Sequence, residues 1–212
     1  MLNVVIDLSH HNTVSSFSTI KADGIEGIIH KATQGLSYTD PTYASRKTQA
    51  LDAGLMWGAY HFASAADGQQ QAEYFLSVVK PGPGDLLVLD IEQNYDSQGK
   101  PAASMSIADA EAFVTYVQSQ TGRWPGLYSG SYIKELLGSS QNATLANCWF
   151  WLAQYGSTAV VPANWSTWTM WQYTDGVNGP TPHSVNGVGN CDRDKFNGDD
   201  AGLHRLWNVS QA

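Results

Sequence analysis

The sequence predicts an α/β fold: a modified TIM-like barrel of the (β/α)5(β)3 type, with eight strands and with helices lacking in the last third. Three observations predict this architecture. Short apolar segments rich in β-branched and aromatic residues occur eight times along the 212 residues. Helical patterns separate the early segments, as the parallel strands of βαβ units require. The last three segments are separated by links rich in Pro, Gly, Asn and Ser, which leave no room for full helices.

Each of the eight strand candidates combines an apolar run with turn-forming residues at its ends. They span residues 3–6, 27–30, 55–62, 86–91, 124–128, 149–153, 167–173 and, more weakly, 185–191. The chain is shorter than the ~250 residues of a typical eightfold α/β barrel, and the missing late helices explain the difference.

Three segments carry apolar residues at the spacing of an amphipathic helix. They are residues 41–53, 68–79 and 107–120. Asp40 followed by Pro41 predicts one helix start, and Ser106 predicts another. The sequence shows no interdomain linker and no internal repeat, so we expect a single domain over residues 1–212.

Composition narrows the range of partners. The chain is 42% hydrophobic, 14% charged and 11% aromatic, and its net charge is −8. This hydrophobic content suffices for a large core, and exposed aromatic rings suit stacking on sugars. A strongly acidic chain is a poor ligand for nucleic acid or an anionic membrane, so we expect neither as a partner. There is no apolar run of about 18 residues and no basic leader typical of a signal peptide.

Four carboxylates fall at predicted strand ends. Asp90 and Glu92 close the fourth segment, while Asp7 follows the first and Asp192 the eighth. Side chains two residues apart in a strand lie on one face, so Asp90 and Glu92 should enter one space. Active sites of α/β barrels lie at the carboxyl ends of the strands, and strands one and eight of a closed barrel are neighbours. The four acids should therefore meet, although Asp7 also fits an Asx turn and an Asp-x-Glu strand end is commonly solvated.

Such a cluster has a definite chemistry. Carboxylates that share a cleft repel each other, which raises one pKa and leaves a proton donor beside a charged partner. Glycoside hydrolysis uses this combination of groups.

Eight short motifs run in one order from residue 5 to about residue 207. They are VIDLSHH (5–11), IHKATQG (29–35), AGL with GAYHF (53–62), LDIE (89–92), PGLY (125–128), WLAQY (151–155), WTMWQY (168–173) and DRDKF (192–196). On these motifs the chain resembles the glycoside hydrolase family 25 lysozymes, the Ch-type N-acetylmuramidases, whose barrel also lacks late helices. The resemblance implies hydrolysis of the β-1,4 bond between N-acetylmuramic acid and N-acetylglucosamine in bacterial peptidoglycan.

The resemblance gives the acids unequal roles. Glu92 matches the family's general acid. Asp90 either attacks the anomeric carbon as a nucleophile or stabilises the substrate's own 2-acetamido group while its oxygen attacks, and the sequence leaves both open. Asp7 and Asp192 match the other two acids, to which we assign orienting and pKa tuning.

Substrate contacts are expected from aromatic and polar residues at or near strand ends, where rings can stack on sugar faces or donate hydrogen bonds. The candidates are Tyr60, Tyr128, Tyr155, Trp171 and Gln172. The alternative is that these side chains fill the barrel or the core.

The chain has two cysteines, Cys148 and Cys191. A long-range bridge and two buried thiols are both compatible with the sequence. Because the resemblance is to an extracellular family, we expect the disulfide, which would close a loop of about 40 residues and add about 4 kcal/mol of stability.

The resemblance further implies a secreted, antimicrobial, monomeric enzyme with no cofactor. No metal is expected, because Phe196 occupies an oxygen-ligand position of the EF-hand pattern that residues 192–200 suggest. Two alternatives are a non-catalytic peptidoglycan- or chitin-binding barrel and a chitinase-like hydrolase. The presence of all four acids disfavours the first, and the absence of the longer Asp-x-x-Asp-x-Asp-x-Glu signature of family 18 disfavours the second.

Overall fold

The computed structural model describes residues 1–207, so the last five residues of the predicted domain, 208–212, lie outside the described part. Eight strands form a closed barrel: β1 (Leu2–Leu8), β2 (Gly27–Gln34), β4 (Met56–Phe62), β5 (Leu86–Asp90), β6 (Gly126–Ser129), β7 (Trp149–Ala153), β8 (Met170–Thr174) and β11 (Asp192–Phe196). Short strands outside the barrel are β3 (Tyr38–Thr39), β9 (Ser184–Val185) and β10 (Gly189–Asn190). The helices are α1 (Phe17–Ala22), α2 (Tyr43–Asp52), α3 (Gly68–Val79), α4 (Ile107–Thr121), α5 (Ser131–Leu137) and α6 (Asp200–Trp207).

The strand pairing confirms the predicted barrel. Strands β1, β2, β4, β5, β6, β7 and β8 pair in parallel, and β11 closes the ring by pairing antiparallel with both β8 and β1. Helices α1 to α5 follow the first five parallel strands in turn, whereas no α-helix separates β7, β8 and β11. The helix-poor last third is therefore confirmed.

The eighth strand lies later than predicted. Residues 185–191 contribute to the small hairpin of β9 and β10, and the barrel is closed by β11. The sequence of β11 is Asp-Arg-Asp-Lys-Phe, which has no apolar run; of its inward residues, Asp194 accepts from the Trp151 indole and Phe196 packs in the barrel core. Since β11 is antiparallel, its first residue, Asp192, lies beside the carboxyl ends of the parallel strands. The eighth strand therefore lies later in the sequence than predicted, but Asp192 is still at the open end of the barrel, beside the carboxyl ends of the parallel strands.

Helix caps explain several element boundaries. Asp67 and Ser106 accept hydrogen bonds from the first turns of α3 and α4, as N-cap side chains do. The helix start predicted at Asp40 and Pro41 is wrong, because α2 begins at Tyr43. The Asp40 carboxylate instead accepts a hydrogen bond from the Thr42 amide at 2.9 Å in the preceding turn.

Two apolar layers follow from the strand alternation. Val5, Ile29 and Val88 point into the barrel, whereas their neighbours in sequence pack outside against the helices. Helix α6 covers the amino ends of the strands, where the Trp207 indole is fully buried and donates to the Trp57 carbonyl at 2.9 Å. The carboxyl ends of the strands remain open to solvent. In the described part of the chain, no helix is both long enough and apolar enough to cross a bilayer.

The expected disulfide is wrong. Cys148 and Cys191 are both buried free thiols. Cys148 precedes β7 at the amino end of the barrel, whereas Cys191 precedes antiparallel β11 at the carboxyl end, and β8 lies between the two strands. Two steps across a sheet separate backbones by about 9.6 Å, beyond the ~7 Å limit between the Cα atoms of a disulfide.

Candidate active site

A cleft of about 330 Å³ opens at the carboxyl ends of the parallel strands. Acidic, aromatic and polar side chains surround it. The lining consists of Asp7, Ser9, His11, Lys31, Tyr60, Phe62, Asp90, Glu92, Tyr128, Trp151, Tyr155, Gln172 and Asp192. The structure thus brings together all four acids that the sequence placed at strand ends.

Asp90 and Glu92 enter the cleft from β5 and the residue positions just after it. Val88 faces the barrel interior. Because side chains of a strand alternate between its two faces, Asp90 and Glu92 lie on the same side as Val88. Asp90 is 6% exposed, and its Oδ1 receives no hydrogen bond from the described residues. Glu92 lies nearer to solvent and lines the cleft together with Tyr128.

Burial raises the pKa of both acids. For Asp90 the negative charge of Glu92 raises the pKa further, and the positive charge of Lys31 lowers it. For Glu92 the effect of burial is opposed by the positive charge of Lys31 and, less strongly, by the neighbouring Tyr128 hydroxyl. The two carboxyls titrate as a pair, in which one group keeps its proton to higher pH than an ordinary carboxyl. A proton donor beside a charged carboxylate is the arrangement that glycosidic bond cleavage needs.

Asp7 and Asp192 face the pair from the opposite wall. They are directly opposed residues of β1 and β11. Burial and the charge of Asp192 raise the pKa of Asp7, and burial and the charge of Asp175 raise the pKa of Asp192 to about 6. Each of the four carboxyls in the cleft therefore has a pKa above that of an isolated carboxyl.

Gln172 links the acids to two phenols. Its Nε2 donates to Asp7 Oδ2 at 2.7 Å, and its Oε1 accepts from Tyr128 at 2.8 Å and from Tyr155 at 2.9 Å. The Asp7 oxygen fixes the orientation of the amide, since a flipped group would set its own oxygen against this acceptor. The cleft wall is thereby held in one hydrogen-bonded arrangement.

The sequence profile of glycosyl hydrolases family 25 matches residues 6–181, which span most of the barrel. The chain belongs to glycosyl hydrolase family 25. It is a glycoside hydrolase of the lysozyme kind, in agreement with the resemblance read from its motifs.

Relatives of this family 25 lysozyme include enzymes from bacteria and fungi. Lysozyme M1 of Streptomyces globisporus is 34% identical over 218 aligned positions, covering 96% of this chain and 70% of that protein. The N,O-diacetylmuramidase of a Chalaropsis species is 30% identical over 196 positions, covering 85% and 92%. A crystal structure of a bacterial lysozyme from Streptomyces coelicolor superposes with a TM-score of 0.83 at 33% identity and covers 97% of both chains.

Lys31 is a cleft residue of this family 25 lysozyme that sequence reasoning missed. It points inward from β2, donates from Nζ to Gln34 Oε1 at 2.7 Å, and lies 4.7 Å from the ring centre of Phe62. Burial lowers its pKa, while Asp90 and other acids raise it. No other lysine or arginine lines the cleft among the described residues, and the charge of Lys31 lowers the pKa of Asp90 and of Glu92. Its position inside the IHKATQG motif was the available signal.

Trp171 is not in the cleft. Its ring packs on the outer face of the barrel among the core residues, and its Nε1 donates to the Gln154 carbonyl at 2.7 Å. Strand alternation explains this placement, because Gln172 points inward and its neighbour must point outward. Tyr60, Tyr128 and Tyr155, by contrast, all line the cleft.

A second groove of about 650 Å³ continues from the cleft of the family 25 lysozyme and shares Glu92 and Tyr155 with it. Three of its lining side chains are unusually exposed for their size: Tyr95 at 62%, Tyr155 at 43% and Val160 at 58%. The open surface beside the acids is therefore long, aromatic and partly apolar.

Other polar sites lie at the opposite end of the barrel. Among the described residues, Glu26, Asp200 and His204 form the one group whose ligand atoms lie close enough to hold a metal ion, within 4.8 Å of one another. A larger cavity of about 870 Å³ between the ends of α3 and α4 has Asp85 in its lining, ion-paired with Lys47 at 2.8 Å. Neither place has the clustered buried acids of the cleft.

Proposed function

We propose that the protein cleaves the β-1,4 bond between N-acetylmuramic acid and N-acetylglucosamine in bacterial peptidoglycan. The observation that carries this proposal is the meeting of Asp7, Asp90, Glu92 and Asp192 in one cleft at the carboxyl ends of the strands. The family membership supports a peptidoglycan glycan as substrate. The bond cleaved is taken from the family resemblance, and the residue roles below combine that resemblance with the geometry of the cleft.

Glu92 is the proton donor in this proposal. It is more exposed than Asp90, so it can reach the oxygen of a bond held in the cleft. Burial keeps its pKa above the ordinary value, so the acid form persists at higher pH. Glu92 also borders the second groove, which places the leaving part of the glycan along Tyr95 and Tyr155.

Asp90 acts through the substrate's 2-acetamido group. Its Oδ1 is a buried acceptor without a donor among the described residues. Because Asp90 lines the cleft, an acetamido N–H there would donate to its carboxylate, whose charge would stabilise the positive charge that develops as the acetamido oxygen attacks the anomeric carbon. Direct attack by Asp90 is the alternative, and a covalent glycosyl-enzyme trapped with a fluorinated sugar would favour it.

The remaining residues bind and orient the glycan. Tyr60, Tyr128 and Tyr155 offer ring faces and hydroxyls, and Gln172 holds two of these phenols in place. Asp7 and Asp192 supply the negative charge that raises the pKa of their neighbours. We further propose that the barrel acts as one catalytic domain, as a monomer, outside the producing cell and against bacteria, since its polymer substrate is extracellular.

Glu92→Gln tests the proposal. The variant keeps the size and polarity of the side chain but removes the acid, so clearing of purified cell walls should fall by roughly 10²- to 10⁴-fold. Glu135→Gln, on the exposed surface of α5, is the matched control and should clear walls at the normal rate. Clearing by Glu92→Gln at the normal rate would remove Glu92 from the acid role. Soluble chitin oligomers cleaved faster than peptidoglycan would favour the chitinase-like alternative.

A further inference from the structure

Asp194 is a buried acid that the proposed chemistry does not use. It lies on β11 and is fully buried. In the strand register it stands opposite Gln172 of β8 and opposite Val5 of β1, one layer deeper in the barrel than the Asp7 and Asp192 pair. A bulge in the pairing with β8 falls between Arg193 and Asp194. Bulges often redirect a side chain next to an active site.

The two oxygens of Asp194 have different surroundings. Oδ1 accepts from the Trp151 indole at 2.7 Å. Oδ2 is buried and receives no hydrogen bond from an N–H or a hydroxyl in the described part of the chain. The neighbouring acid is Asp7, because it follows Val5 by two residues on the same face of β1 and Val5 pairs with Asp194. Two carboxyl oxygens that face each other away from water are both acceptors, and a proton between them is what turns this contact into a hydrogen bond.

The charges around this contact also favour a bound proton. Burial raises the pKa of Asp7 and of Asp194, and the charge of Asp192 raises both further. Two cationic side chains lie nearby. Lys31 lines the cleft, and Arg193, the neighbour of Asp194 on β11, lowers the pKa of Asp194. The other titratable side chains around the two acids are His11, Tyr60, Asp90, Glu92, Tyr128, Tyr155, Tyr173 and Cys191. Apart from His11, which lines the cleft above, each of these groups is neutral or negative and does not compensate a second buried charge.

We propose that Asp194 is a positioning residue that shares one proton with Asp7 beneath the cleft and so fixes the hydrogen bonds of Gln172. The inference rests on the proposed function only for its consequence in catalysis. With the proton shared, Asp7 presents its other oxygen to the Gln172 amide at 2.7 Å. That bond sets the amide orientation, which in turn directs the hydroxyls of Tyr128 and Tyr155. The chain of contacts runs from Trp151 through both acids to the cleft wall.

Asp194→Asn separates the shared proton from simple packing. The asparagine keeps the shape, its oxygen accepts from Trp151, and its amide donates to Asp7 without any shared proton. Carboxyl ¹³C NMR of protein labelled at aspartate should show Asp7 incompletely ionised in the wild type at pH 6. In Asp194→Asn the midpoint of Asp7 should fall by about one pH unit or more. Asp52→Asn, which removes an exposed carboxyl on α2, is the control and should leave Asp7 unchanged.

Two outcomes would overturn the proposal: full ionisation of Asp7 and Asp194 at pH 6 in the wild type, or an unchanged Asp7 midpoint in Asp194→Asn. If that variant does not fold, Trp151→Phe provides the second test. Loss of the indole donor destabilises ionised Asp194, so the last proton should leave the two acids at higher pH; an unchanged midpoint would contradict the sharing. No substrate is needed, so a failure of this proposal is distinct from a failure of the proposed muramidase activity.

Discussion

Lys31→Met should move the whole pH profile of activity to higher pH. Lys31 lowers the pKa of Asp90 and of Glu92. In the proposed mechanism Glu92 must be protonated and Asp90 must be ionised. The pKa of Glu92 therefore sets the alkaline limb, and that of Asp90 sets the acid limb. Removal of the charge raises both values, so both limbs shift in the same direction.

The expected size follows from the position of Lys31. An opposite charge next to a carboxyl typically changes its pKa by about 1–3 units. Here one ammonium acts on two acids and is also held by Gln34, so we expect about one unit on each limb, or about 1.4 kcal/mol. Methionine keeps an unbranched side chain against the Phe62 ring, which preserves the packing.

The assay is kcat/KM on solubilised peptidoglycan measured across the pH range. Lys195→Met is the matched control, because Lys195 lies on the outer face of the barrel, 4.9 Å and 4.5 Å from the ring centres of Trp171 and Tyr173. The control should keep the original profile. A Lys31→Met profile that is unmoved, or that moves to lower pH, would refute the assigned charge effect.

Three further results are expected. Titration of the denatured, unreduced protein should find two thiols, since Cys148 and Cys191 are free; finding none would restore the disulfide. The unfolding free energy of Asp192→Asn, relative to that of the wild type, should rise by about 2 kcal/mol between pH 4 and pH 7. The reason is that the pKa of Asp192 is raised to about 6 in the folded protein, so this carboxyl stabilises the fold only while it is protonated. A stability difference that does not change with pH would contradict this. Trp207→Ala should lower the unfolding free energy by about 3–5 kcal/mol in denaturant titrations, and a loss under 1 kcal/mol would mean that α6 does not close the barrel.

The sequence predicted the acid cluster because simple rules govern it. Strand alternation places Asp90 and Glu92 on one face, and the chain order places Asp7 and Asp192 on neighbouring strands. The same alternation, applied consistently, forbids Trp171 and Gln172 from entering one cleft, and the structure keeps only Gln172 there. The rule was sufficient at that position, whereas nearness to a strand end made candidates of both residues.

Other features depend on long-range geometry. The strand β11 has a charged sequence, so hydrophobic patterning does not reveal it, and the role of Asp194 stays hidden with it. Lys31 becomes a cleft residue only when the barrel closes around it. The cysteines are different: Cys148 precedes the predicted strand 149–153 and Cys191 ends the predicted strand 185–191, so parallel strands already place them at opposite ends of the barrel.

The central claim is that the cleft cleaves after N-acetylmuramic acid. Mass spectrometry of fragments from defined peptidoglycan, reduced with borohydride after digestion, identifies the sugar at each new reducing end. The account predicts reduced N-acetylmuramic acid with the wild type and no new ends with Glu92→Gln. Reduced N-acetylglucosamine at the new ends would contradict the account, because the enzyme would then be a glucosaminidase.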